Sequence, residues 1–257
     1  MPYSVTYAFT TLDVPNSINT EALGINDAGK IVGDYMDANS HTHGFVFSNG
    51  VYTTVNVPGA FSTSVTAINN TGAIAGYYVD GNLSTHGFIY SGGSYTFLSD
   101  PDPNNIGDTE ITGINDAGQV VGEWNDGTNH HGFLYSNGTY TPLNGPSNAS
   151  AMHPGGINNA GEISGTYVDL NFGSPQAGSH GFLDSGGSYV TLNEPLAFGP
   201  PFCTFEQGIN NAGQTVGSYI DSGGNTYHGF LYDGSNNYIT IDDPLASSQY
   251  AASQWRQ

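Results

Sequence analysis

Residues 22–57 read A-L-G-I-N-D-A-G-K-I-V-G-D-Y-M-D-A-N-S-H-T-H-G-F-V-F-S-N-G-V-Y-T-T-V-N-V, and this stretch recurs five times along the chain. Each copy carries G-I-N-[DN]-x-G or a close variant. A short apolar run then ends in G-x-[YW], an Asp follows two residues on, then H-G-F, a Gly-containing turn and Y-x-x-[LVI]. The H-G-F histidines are His43, His86, His131, His180 and His228; the asparagines of I-N are Asn26, Asn69, Asn115, Asn158 and Asn210. A period of roughly 40–50 residues is that of propeller blades.

Within one copy the pattern predicts four strands: Ala22–Asn26, Lys30–Tyr35, His43–Phe47 and Val51–Val57. Asp27-Ala28-Gly29 and Ser48-Asn49-Gly50 are the tight turns, where Gly supplies positive φ. Val, Ile, Tyr, Phe and Thr dominate the runs and no helical period is present. Four antiparallel strands repeated radially make a blade. The expected fold is all-β, a single five-bladed β-propeller domain over 1–257 built from four-stranded antiparallel blades. Tyr7–Val14 matches strand four of the repeat and is expected to close the ring; Tyr238–Pro244 is a second candidate for that role.

Composition narrows the partners. Two Lys+Arg stand against 22 Asp+Glu, a formal charge of −20. Phosphate neutralisation needs Lys and Arg, so nucleic acid and anionic membranes are excluded as partners. Phosphorylated or uronate substrates would meet a repulsive field without an Arg clamp. A neutral small molecule or a metal cation remains. Thirteen Phe and 17 Tyr argue for a packed core rather than a disordered acidic chain. Cys203 is alone, so no intrachain disulfide forms. The N-terminus has no basic and apolar signal region, which fits a cytoplasmic protein or one secreted after processing.

The repeat resembles the HAF-type repeat of bacterial extracellular proteins, with H-G-F replacing H-A-F in every copy. That resemblance covers almost the whole chain and implies no catalytic residues. In size and architecture the chain is also similar to the small propellers that serve as fungal hetero-Diels–Alderases in tropolone–sesquiterpenoid pathways. This second likeness implies a cofactor-independent cyclase joining an o-quinone-methide-like tropolone to a cyclic polyene, and carries over no residue.

What every blade shares is read as scaffold. Asp37, Asp80, Asp126, Asp169 and Asp221 precede the H-G-F histidines and are expected to accept the imidazole N–H. The asparagine of G-I-N is expected to cap its own turn. An asymmetric ligand needs residues that differ between blades. Three residues before the glycine of G-I-N (Ala67 in the second copy), the copies read Glu21, Ser64, Glu110, His153 and Phe205. Glu21, Glu110 and His153 are the candidate catalytic acid–base groups. Ser64, Phe205 and the neighbouring Glu206 are candidate substrate contacts, as is Trp124, where other copies have Tyr. Phe198 and Phe202 of the apolar loop 195–204 are expected to wall a pocket. The alternative is that the loop ends are merely solvated and Trp124 merely packs between blades.

The loop 100–110 offers Asp100, Asp102, Asn104, Asp108 and Glu110, a candidate calcium site weakened by two prolines and the missing Gly. No zinc set is expected, because His130-His131 and His41-x-His43 lack a third ligand at a telling distance. No cofactor motif is present. Three functions stay open: the cyclase, an extracellular propeller that binds or cleaves neutral glycans with Glu21, Glu110 or Glu206 as carboxylates, and a purely structural propeller.

Overall fold

The computed structural model describes residues 10–99, 108–169, 178–197, 202–221 and 226–241. Blade one is β1 (Asn19–Ile25), β2 (Ile31–Met36), β3 (Thr42–Ser48) and β4 (Val51–Val55). Blade two is β5 (Ser62–Ile68), β6 (Ile74–Val79), β7 (Thr85–Ser91) and β8 (Ser94–Leu98). Blade three is β9 (Thr109–Ile114), β10 (Val120–Asn125), β11 (His130–Ser136) and β12 (Thr139–Pro142). Blade four is β13 (Ala151–Ile157), β14 (Ile163–Asp169), β15 (Gly178–Ser185) and β16 (Ser188–Leu192). Blade five is β17 (Phe202–Ile209), β18 (Thr215–Ile220), β19 (Tyr227–Tyr232) and β20 (Tyr238–Ile241).

Each blade is an antiparallel meander, and the five stand in a ring as a five-bladed β-propeller. A short parallel pairing, Gly178 with Phe202 and Ser179 with Cys203, ties blade four to blade five. Among the described residues no helix is long and apolar enough to cross a membrane. Residues 10–14 of the expected closing strand lie outside any strand, and residues 7–9 lie outside the described residues. The fifth blade's fourth strand is β20.

The repeated motif explains the meander. Gly29, Gly72, Gly118, Gly161 and Gly213 close the turns after G-I-N at φ between 71° and 87°. Asn49-Gly50 and Asn137-Gly138 both take positive φ, as a type I′ hairpin requires. The phenylalanines of H-G-F (Phe45, Phe88, Phe133, Phe182 and Phe230) are all buried, at most 1% exposed, and form the blade cores. The motif's glycine is needed for packing. A Cβ on Gly132 would press on Met152 and Pro154 of blade four, and one on Gly87 on Ile111 of blade three.

Asparagine in G-I-N does more than cap. Asn26 Oδ1 accepts the N–H groups of Ala28 and Lys30 in its own turn. Its Nδ2 donates to the carbonyl of Asn69 in the next blade, and Asn69 repeats this to Asn115, Asn115 to Asn158 and Asn158 to Asn210. A ladder of amides thus links blades one to five around the axis.

The inner strands begin three residues earlier than the pattern predicts, at Asn19 in blade one rather than Ala22. The variable position is therefore part of a paired strand, not a loop end. Every inner strand also carries a register shift just before the G-I-N glycine position, as between Val65 and Ala67. Opposite it stands the glycine of G-x-[YW]: Gly33, Gly76, Gly122, Gly165 or Gly217. A Cβ there would collide with the carbonyl oxygen of Glu21, Ser64, Glu110, His153 or Phe205 respectively. This glycine lets the bulge close and so fixes the variable residues. Gly122→Ala is expected to cost about 2–3 kcal/mol through this backbone collision, read as a fall in the thermal unfolding midpoint.

Candidate active site

The variable residue of each inner strand faces a second variable residue, the x of G-x-[YW], on the neighbouring strand. The pairs are Glu21 with Asp34, Ser64 with Tyr77, Glu110 with Glu123, His153 with Thr166 and Phe205 with Ser218. Across the blade boundaries the same residues meet again. Ser64 Oγ donates to Asp34 Oδ2 at 2.5 Å. His153 Nδ1 lies 2.6 Å from Glu123 Oε2. Tyr77 feels the charges of Glu110, Asp34 and Glu21. Glu21, Asp34, Ser64, Tyr77, Glu110, Glu123 and His153 form one polar arc over blades one to four. Glu21, Glu110 and His153 are thus brought onto a single surface. Sequence reasoning missed Asp34, Tyr77 and Glu123 as partners, although the x of G-x-[YW] varies between copies as much as the inner-strand position does.

The arc is richest between blades three and four. Glu123 is bracketed by two imidazoles: Oε1 lies 3.0 Å from His130 Nδ1 and Oε2 lies 2.6 Å from His153 Nδ1. The backbone N–H of Gly127 donates to Asn125 Oδ1, which turns the amide Nδ2 toward His130 Nε2 at 3.2 Å. His130 Nε2 therefore accepts, and its Nδ1–H donates to Glu123. A His153 that donates from Nδ1 in the same way keeps Nε2 as its basic nitrogen. Glu123 is mostly covered, with its side chain 15% exposed, whereas His153 is 35% exposed and open to a ligand.

Beside this trio, burial pushes the Glu110 carboxyl up to about 7, helped by the charges of Glu123 and Asp108 and opposed by His153. The Tyr77 hydroxyl is pushed up to about 12, first by burial and then by Glu110. Near neutral pH the arc holds a proton donor, Glu110, beside an imidazole already oriented by a carboxylate. Glu123, His130 and His153 also offer three ligand atoms within 4.8 Å of one another, the third group that spacing alone did not reveal. The Asn125 contact favours protonated Nδ1 on His130, so the trio is arranged for protons in this state.

The other candidates lie elsewhere. Trp124 stacks on His131 at 4.2 Å, as Tyr167 and Tyr219 stack on their own histidines while Tyr35 and Tyr78 meet theirs at a tilt, and it packs against the core of blades two and three. Phe205 is half-buried on β17 opposite Ser218. Glu206 points into the wall between blades four and five, 4% exposed, with its Cγ against Gly181. Phe198 lies outside the described residues, as do the side chain of Phe202 and most of the 100–110 loop. Asp108 accepts the backbone N–H of Thr85.

Aspartates before H-G-F behave as scaffold. Asp37 accepts the N–H groups of Asn39 and His41 and lies 3.4 Å from His43; Asp80 and Asp126 repeat this with His86 and His131. His180 Nδ1 meets Asn193 Oδ1 at 2.9 Å, as His43 Nδ1 meets Asn56 Oδ1 at 3.1 Å.

A cavity of about 430 Å³ lies further along the axis, at the G-I-N end. Thr66, Thr112 and the ladder asparagines line it, and the acid–base arc does not. Its carboxylates, Asp27 and Asp116, are tied to Asn70 and Asn159 across the blades. The acid–base groups of the arc thus lie apart from this cavity.

No protein-family model and no curated protein sequence matches the chain. Solved structures do. A six-bladed propeller, the fucose-recognising lectin of Aleuria aurantia, aligns over 87% of this chain and 76% of its own, with a TM-score of 0.50 and 13% identity. The β-propeller domain of the trilobed protease of Pyrococcus furiosus, with its open velcro topology, aligns over 88% and 68%, with a TM-score of 0.55 and 9% identity. A putative TolB of Agrobacterium tumefaciens aligns over 82% and 80%, with a TM-score of 0.54 and 12% identity. The chain shares the propeller fold with these proteins.

Proposed function

We propose that the protein is a cofactor-independent acid–base catalyst acting on a neutral small molecule held at the polar arc. One observation carries this reading: Glu123 bridges His130 and His153 beside a Glu110 carboxyl raised to about 7. Glu123 holds His153 with Nδ1 protonated and Nε2 free to take a proton from the substrate. Glu110 gives a proton to the leaving or carbonyl oxygen, and Tyr77 supplies a hydroxyl that orients it, while the buried Ser64 holds Asp34 in place. A field built from carboxylates, with no Lys or Arg on the arc, admits neutral substrates and repels anions.

Dehydration of a hydroxylated precursor to a reactive diene, followed by cycloaddition of two bound partners, uses this pair for its first step and proximity for its second. That is the finer, cyclase reading; the HAF-type repeat and the Diels–Alderase likeness rest on motif and size alone. A neutral glycan is the second reading. It is favoured by the hydroxyl- and carboxylate-rich lining and by the lectin among the fold neighbours.

Two substrate sets separate them: neutral nitrophenyl glycosides, and a hydroxymethyl tropolone with a cyclic polyene. Turnover of one set above the buffer rate, lost in His153→Ala and Glu110→Gln, is expected. Turnover that survives both substitutions would reject the arc as the site.

A further inference from the structure

The boundary between blades three and four carries a ligand set that no other boundary has. Three positions of the repeat flank each boundary: the x of G-x-[YW], the residue before H-G-F, and the variable residue of the next inner strand. Here they are Glu123, His130 and His153. The other boundaries have no histidine at any of the three; between blades one and two they read Asp34, Thr42 and Ser64. Ser64 still reaches Asp34 there, as His153 reaches Glu123. The same junction therefore closes without imidazoles, and folding does not call for them.

All three side chains stand on paired strands, which fixes their spacing. Glu123 lies in β10 between Glu110 and Gly132, His130 opens β11 opposite Asn125, and His153 lies in β13 opposite Thr166. Glu123 Oε1 and Oε2 lie 3.0 and 2.6 Å from the two Nδ1 atoms, and the three ligand atoms fall within 4.8 Å of one another. Among the described residues no other His, Cys, Asp and Glu side chains form such a group of three. Ligands about 2.0–2.1 Å from a tetrahedral ion stand about 3.3 Å apart, so Glu123 has to yield less than about 1 Å from each imidazole. His130 and His153 are 40% and 35% exposed, which lets an ion reach them from solvent and leaves a fourth position for water.

Two nitrogens and a carboxylate suit zinc and its neighbours, whereas calcium and magnesium take oxygen ligands. The arc carries carboxylates and no Lys or Arg, so its field draws a cation in. Binding trades protons for the ion. A metal on His130 Nδ1 leaves the ring proton on Nε2, where the Asn125 amide now donates at 3.2 Å, so that contact must give way. A metal on His153 Nδ1 displaces the proton held against Glu123 and takes the carboxylate with it.

We propose that Glu123, His130 and His153 form an inhibitory site for a zinc-class divalent ion. The ion and the acid–base reaction use the same groups, so occupancy silences turnover. That half rests on the catalytic reading above, whereas binding stands on the geometry of the trio alone.

The test titrates Zn²⁺ into the tag-free full-length protein by calorimetry, with no substrate present. One equivalent is expected to bind. His130→Ala and His153→Ala should each weaken binding at least about tenfold, and His41→Ala, outside the trio, should leave it unchanged. Asn125→Asp should tighten binding about tenfold, because an acceptor then faces His130 Nε2 and leaves the lone pair on Nδ1. Zn²⁺ should also abolish the turnover of the metal-free protein, and a chelator should restore it. Binding that both histidine variants leave unchanged, or no binding at all, would overturn the proposal and leave the catalytic reading standing. Turnover that rises with Zn²⁺ would overturn the inhibitory role and metal-free catalysis together. Zn²⁺ bound at the trio of a protein that turns nothing over without it would strike the catalytic reading and keep the site.

Discussion

Glu206→Ile is expected to stabilise the protein by several kcal/mol at pH 8, and by less at pH 4.5. Glu206 sits where the other inner strands carry Ala22, Val65, Ile111 and Pro154, in the wall between blades. Neither carboxyl oxygen completes a hydrogen bond, although Thr215 lies beside it. Burial pushes this carboxyl up to about 8. Below its ordinary value of 4.5 the folded and unfolded chains both hold the proton, and the group adds no pH dependence. Between 4.5 and about 8 the folded chain keeps a proton that the unfolded chain releases, so stability falls as pH rises. That loss levels off above pH 8 at about 5 kcal/mol. Even protonated, an unpaired buried carboxyl costs about 1–3 kcal/mol. Isoleucine, the residue at this place in blade three, removes both costs. The check is the unfolding midpoint at the two pH values, where a rise of about 10 °C or more is expected at pH 8. Equal gains at both pH values would show that Glu206 ionises normally in the fold. Stabilisation accompanied by loss of turnover would bring Glu206 back into the chemistry.

Glu123→Gln is expected to reduce turnover about 10²–10⁴-fold while leaving the ring folded, because it removes the acceptor that fixes the His153 tautomer. Its amide offers one acceptor and one donor where two imidazole N–H groups need acceptors. The wild-type rate should fall as pH rises through about 7, where Glu110 loses the proton it donates. Glu110→Gln should abolish that limb of the profile. A profile flat from pH 5 to 9 in the wild type, or full activity in Glu123→Gln, would contradict the assignment.

Much of this was legible in the repeat. The phenylalanines of H-G-F, the turn glycines and the strand order follow from periodicity, because five copies impose the same local demand five times. The variable inner-strand position was also legible, since it alone differs where the scaffold does not require it. Glu123 was harder to see. Its role depends on a contact with His153 across a blade boundary, thirty residues away, and repeat logic ranks a residue by its own column, not by its neighbour's. Trp124 drew attention as an odd member, yet it stacks on its histidine as Tyr167 and Tyr219 do. Glu206 is the converse: it breaks the repeat and points into the wall, because side chains alternate along a strand and its neighbour Phe205 takes the variable position.

A carboxyl-resolved NMR titration of the full-length protein tests the acid–base arc most directly. The structure predicts that Glu110 holds its proton to about pH 7 and that Glu123→Gln shifts that value downward, since one neighbouring charge is gone. A Glu110 carboxyl that ionises near pH 4.5, and ignores Glu123, would contradict it.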